Sequence, residues 1–130
     1  MKKALLSITL LAFLISFCAT FSYCQDIDLT GTWRGATEVP DQGTDEMTLV
    51  IKKENGEYSG TITDSFGMMM DTECEEIKFE DGTLTFNFTI FMGTESMTVW
   101  VNLTVEGDKM TGYWEVADGS QGDLNFEKEK

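Results

Sequence analysis

Glu54-Asn55-Gly56-Glu57-Tyr58-Ser59-Gly60, Glu80-Asp81-Gly82-Thr83-Leu84-Thr85-Phe86 and Glu106-Gly107-Asp108-Lys109-Met110-Thr111-Gly112 write one turn three times, at near-regular spacing. Each copy follows an alternating apolar strand and precedes another. The Asn-Gly and Asp-Gly pairs suit two-residue hairpin turns, whose central residues need positive φ. With a strand at Gly31-Thr32-Trp33 before them and one more after, the hairpins predict a meander of eight strands. Sequential hairpins favour an up-and-down arrangement over a Greek key, which needs long crossovers. Closure removes the two exposed edges that an open eight-stranded sheet leaves. The expected fold is all-β, a single antiparallel β-barrel.

Working outward, the strands read as Thr30 to Val39, Met47 to Lys53, Tyr58 to Asp64 and Glu73 to Phe79. Four more follow, centred on Phe86, Val101, Trp114 and Phe126. Pro40-Asp41-Gln42-Gly43 breaks the chain after the first strand. Ser65 to Thr72 is the one long connection. The fifth strand alternates most clearly, with Leu84, Phe86, Phe88 and Ile90 against Thr85, Asn87 and Thr89. Such alternation marks one buried and one wet face per strand. No stretch of useful length shows helical spacing.

The first residues read as a targeting segment. Lys2 and Lys3 precede an apolar run from Ala4 to Phe17, and small or polar residues lead to Gln25, a secretory signal pattern. Cleavage after Cys24 makes residues 1–24 a signal peptide and 25–130 the domain. The expected location is secreted or periplasmic. Acylation of Cys18 or Cys24 is the less favoured alternative, because Phe17 and Tyr23 stand where a small residue belongs. The 106 residues after the signal suffice for one core. They keep one cysteine, Cys74, which reads as a buried thiol.

All 23 carboxylates lie after the signal against seven basic residues, a net charge of −16. That disfavours nucleic acid, whose binding needs a basic surface, and anionic membrane surfaces. The chain has no histidine, so no imidazole base or ligand is available, and no carboxylate pair is singled out by spacing. No enzymatic role is expected. Asp71-Thr72-Glu73-Cys74-Glu75-Glu76 lacks the ordered spacing of a calcium loop and reads as a solvated strand edge. Methionines with Cys74 are soft ligands of the type that select Cu(I), but three consecutive residues do not converge easily on one ion. No metal and no cofactor are expected.

Gly31-Thr32-Trp33 resembles the opening of the lipocalin-like part of the calycin superfamily. The fuller pattern resembles small secreted bacterial lipocalin-like domains: Gly-Thr-Trp, a Met-Thr-Leu strand, repeated glycine-bounded hairpins and a Met-rich middle, over nearly all of Leu29 to Lys130. The resemblance implies that Trp33 plugs one end of the barrel, with Lys128 or Lys130 across it. It also implies, at most, binding of a small apolar molecule inside.

An eight-stranded barrel either fills its interior or holds one small ligand. The inward set is Trp33, Leu49, Ile51, Tyr58, Ile62, Phe86, Phe88, Val99, Val101, Leu103 and Trp114. Gly60 and Gly112, also inward, either open space for a ligand or relieve crowding where the sheet bends. Met68, Met69 and Met70 are expected as a lid over the mouth, because methionine adapts to varied apolar shapes. The preferred function is a binder of a small hydrophobic ligand. The alternative is a structural or interaction module with a filled core, meeting another extracytoplasmic protein through outward aromatics such as Phe91 and Trp100. An apolar cavity of roughly 300 Å³ or more separates the first from the second. Gly112→Leu is a test: lost ligand uptake with an intact fold supports the cavity, whereas unfolding shows that the position is already packed.

Overall fold

A computed structural model describes residues 27–130. The expected signal peptide, residues 1–24 with Cys18 and Cys24, lies outside the described residues. Eight strands follow in order: β1 (Gly31–Val39), β2 (Gly43–Glu54), β3 (Glu57–Asp64), β4 (Thr72–Glu80), β5 (Thr83–Met92), β6 (Glu95–Glu106), β7 (Lys109–Val116) and β8 (Gln121–Lys128). Each pairs antiparallel with the next, and β8 returns to β1, so the sheet closes into an up-and-down barrel. Closure rests on four pairs, Trp33↔Lys128 to Ala36↔Asn125. Thr37 extends the seam by donating from its hydroxyl to the Asp123 carbonyl (2.6 Å).

Two of the quoted turns form as the sequence dictates. Asn55 and Gly56 have φ of 53° and 80°, Asp81 and Gly82 of 53° and 78°, the doubly positive turn that matches strand twist. The third differs. Only Gly107 is positive there (φ 60°), as in the turn type whose glycine comes first. The Pro40 break is tighter than expected. Gln42 N donates to Val39 O (3.0 Å) and Asp41 takes φ 64°, so pairing resumes at Gly43. Strand β2 therefore starts four residues before Met47, which brings Asp45 into the barrel wall.

One irregularity bends the wall. The β4–β5 register slips between Glu75 and Lys78, and Glu76 sits at φ 52°. In a regular strand Cys74 and Ile77 would face opposite ways. The extra residue of the bulge lets both pack against the core.

Inward positions are apolar except near the upper end, where Thr37, Asp45 and Asp64 are buried, and outward ones are largely Thr, Asn, Glu and Lys, the reverse of a membrane-spanning barrel. The core divides along the barrel axis. At the lower end Leu29, Trp33, Leu49, Ile51, Leu84, Leu103, Met110 and Phe126 are buried together. Trp33 is fully buried, and its Nε1 donates to the Leu29 carbonyl (2.9 Å). Lys128 Nζ lies 5.6 Å from the Trp33 ring centroid and donates to the Asp28 carbonyl (3.1 Å). Of the two lysines expected over this plug, Lys128 takes the place.

Candidate functional site

The upper end is not filled. A cavity of about 280 Å³ sits above the packed layer, just under the size expected to separate a binder from a filled module. Its walls come from Ile62, Phe88, Ile90, Val99, Trp114 and Val116, with Val101 and Leu124 deeper. Gln42, Met68 and Met92 carry its exposed rim. Strand directions explain the position. The connections 40–42, 65–71, 93–94 and 117–120 all lie at this end, whereas the segment at residues 27–30 closes the other.

Five of the eleven inward residues named from sequence line this space: Ile62, Phe88, Val99, Val101 and Trp114. Trp33, Leu49, Ile51, Tyr58, Phe86 and Leu103 do not. They belong to the lower layer, and Tyr58 is only half-buried, with Lys53 Nζ 5.1 Å from its ring centroid. Neither Gly60 nor Gly112 lines the cavity. A Cβ at Gly112 would run into the Asn102 backbone carbonyl and stand 3.0 Å from Leu103 Cα. That glycine lets β6 and β7 approach, so Gly112→Leu tests packing and not a cavity.

Trp114 is held by its neighbours. Its indole lies over Gly122 on β8, where a Cβ would stand 2.5 Å from the ring. Its Nε1 donates to Thr37 Oγ1 (2.9 Å), and Thr37 donates onward to Asp123 O. This chain ties β7, β8 and β1 together at the mouth. It also satisfies the indole N–H and the Thr37 hydroxyl where they meet the cavity wall.

The three methionines separate. Met69 is 1% exposed and turned into the barrel, Met68 stands at the rim, and Met70 is 79% exposed and outside the lining. The lid is therefore Met68 and Met69, with Met70 turned away. What holds it is a pair of carboxylates. Met69 N donates to Asp64 Oδ1 (2.8 Å), and Asp64 N donates to Met69 O (3.1 Å). Ser65 donates to Asp45 Oδ1 from both its amide (3.2 Å) and its hydroxyl (3.1 Å).

Asp45 and Asp64 are 1% and 9% exposed, and the Oδ2 atom of each is buried without a partner. Burial pushes the Asp45 carboxyl above its ordinary value, and the adjoining Asp64 carboxyl pushes it further. A proton held by Asp45 has the adjoining Asp64 oxygen as its acceptor, which is part of what raises Asp45. These residues were not singled out from the sequence. The signal was present, because Asp45 is in phase with Met47, Leu49 and Ile51, and Asp64 with Gly60 and Ile62.

Cys74 lies apart from the methionines, in a separate depression with Val50, Lys52, Ser59 and Glu73. Burial pushes its thiol up to about 12. Among the described residues no group of three or more His, Cys, Asp or Glu is arranged to hold a metal. No protein-family model matches the chain, and no curated protein matches it.

Proposed function

We propose that this is a secreted lipocalin-like domain that takes a small apolar ligand into the upper half of its barrel. The cavity is the observation that carries the reading. A space of about 280 Å³ with mostly apolar walls stands above a layer that is packed, in a barrel just wide enough for either outcome. Its size, just below the usual range of small-molecule sites, suits a compact or slender molecule. The Trp33 plug under Lys128 supports the lipocalin-like assignment, since it reproduces the arrangement that the Gly-Thr-Trp resemblance implies.

Phe66, Met68, Met70, Phe91 and Met92 are exposed large apolar side chains. All five belong to the connections and strand ends around the mouth. An apolar rim lets a poorly soluble ligand meet the protein before entering. The same rim is the observation that favours the second reading, docking of another extracytoplasmic protein. The domain carries no catalytic role in either reading.

The test is uptake of N-phenyl-1-naphthylamine, a neutral apolar fluorophore. Neutrality matters, because an anionic probe would be repelled by the net charge. Trp114 lines the cavity whereas Trp33 and Trp100 do not, so a bound probe should quench Trp114. Saturable one-to-one uptake, lost in Val99→Phe with the fold retained, supports the reading. Uptake that is unchanged in Val99→Phe counts against it.

A further inference from the structure

Among the described residues, the exposed large apolar side chains fall into two groups. Five surround the mouth; the other two, Trp100 (47% exposed) and Tyr113 (42%), stand on the outer wall. They occupy adjacent strands. Trp100 pairs with Glu115, and Tyr113 with Asn102, so the two rings are diagonal neighbours on one face. They flank a shallow groove of about 260 Å³, whose polar lining is Glu76, Lys78, Thr85, Asn87, Asn102 and Glu115.

The floor of the groove is built, not incidental. Asn87 points outward from β5, yet it is only 8% exposed. Its Nδ2 donates to Glu76 Oε2 (3.0 Å). That bond fixes which end of the amide meets Glu76 and leaves the amide carbonyl oxygen as an acceptor. Glu76 reaches Asn87 from the bulge, where the register slips and Glu76 holds φ 52°. Bulges re-aim side chains, and a non-glycine residue in the left-handed region is an unfavourable conformation that the surroundings must hold in place.

We infer that this outer groove is a binding site for a neutral carbohydrate, separate from the cavity. A sugar ring has an apolar C–H face bordered by hydroxyls. Flat, exposed aromatic rings meet the first. The second needs donors and acceptors side by side, which two amides, a threonine hydroxyl and two carboxylates supply. Anionic sugars are excluded by charge: Glu76 and Glu115 outnumber Lys78 in the lining, on a chain already strongly negative. A cationic ligand between the aromatic rings is the rival that the net negative lining allows; the two amides and the hydroxyl add groups that a cation does not need. The groove is shallow and short, which fits a unit or two of a longer glycan.

The test is ¹H–¹⁵N NMR titration of the protein with cello-, chito-, manno-, malto- and xylo-oligosaccharides, each up to about 10 mM, tenfold above a dissociation constant of about 1 mM. Tetramethylammonium chloride is titrated as the cationic rival. The expected result is a saturable shift of the Trp100 indole N–H and the Asn87 and Asn102 side-chain amides with at least one neutral saccharide. Trp100→Ala should weaken that binding about tenfold or more. Glu76→Gln, which keeps the side-chain shape, should weaken it less, and Phe91→Ser, at the barrel rim, should leave it unchanged. The inference is overturned if no neutral saccharide shifts these resonances, if the side-chain amides of Asn87 and Asn102 titrate with an unchanged dissociation constant in Trp100→Ala, or if only tetramethylammonium produces the shifts.

Discussion

Replacing the buried Asp45 by asparagine is predicted to stabilise the protein at pH 8, although it removes a charged side chain that binds the lid. Asp45 Oδ1 accepts from Ser65, and an asparagine oxygen keeps both bonds. The difference lies at Oδ2, buried without a partner beside the equally unpartnered Oδ2 of Asp64. An amide nitrogen in that place donates to Asp64. A buried polar atom without a partner costs about 1–3 kcal/mol, and the neutral oxygen binds Ser65 somewhat less well, so the net gain is about 1–2 kcal/mol. For a domain of this size that raises the melting temperature by about 4–8 °C.

The pH dependence fixes the cause. The folded pKa of Asp45 is raised above 3.8 by burial and by Asp64. Its stabilising contribution is therefore complete below 3.8 and is lost as pH rises through the raised value. Below 3.8 the folded wild-type carboxyl holds its proton and makes the same donation that asparagine makes. Thermal unfolding followed by circular dichroism at pH 3.5 and pH 8 measures both. The gain should be larger at pH 8 than at pH 3.5. An equal change at the two pH values, or a loss of stability at pH 8, would refute the proton-sharing pair.

Other outcomes follow from the same packing. Met69→Ala removes a buried lid side chain beside an existing cavity, so it should cost about 2 kcal/mol, near the low end for such truncations, and should speed probe entry in stopped-flow fluorescence. Gly112→Ala should destabilise by about 3 kcal/mol or more in urea unfolding, because its Cβ meets backbone that cannot yield. Lys128→Ala should cost about 1 kcal/mol and raise the exposure of Trp33 in acrylamide quenching, since it removes the cation over the ring. Cys74, pushed up to about 12, should react with a thiol reagent at pH 8 far more slowly in the native protein than in denaturant.

Strand order and closure were legible because turns and alternation are local. Asn55-Gly56 and Asp81-Gly82 declare their turn type in two residues, and β5 alternates without a break from Leu84 to Ile90. The bulge left a fainter mark. Cys74 and Ile77 stand an odd number of residues apart, yet both pack inward, which only an extra residue permits.

The division of the barrel into a packed lower layer and an open upper one was not legible. Phe86 and Phe88 are equivalent by pattern, but one packs below and the other faces the cavity. Which layer a residue joins depends on register around eight strands, and no local window contains that. The pairing of Asp45 with Asp64 was hidden for a related reason. Their phase was visible, but their meeting needed the early start of β2 at Gly43.

The outer groove joins residues from β4 to β7, and its aromatics carried only the weaker message of outward exposure. Trp100 was noticed from its phase. Its neighbours Asn87, Glu76 and Tyr113 came together through the bulge and the β5–β6–β7 register.

The most direct measurement of the central claim is native mass spectrometry of protein purified without refolding, beside the same sample incubated with a neutral apolar ligand such as N-phenyl-1-naphthylamine. The account predicts a discrete added mass of one ligand per chain, lost on denaturation and absent in Val99→Phe. A bare chain mass in both samples would contradict it and leave the upper cavity as unused space in an interaction module.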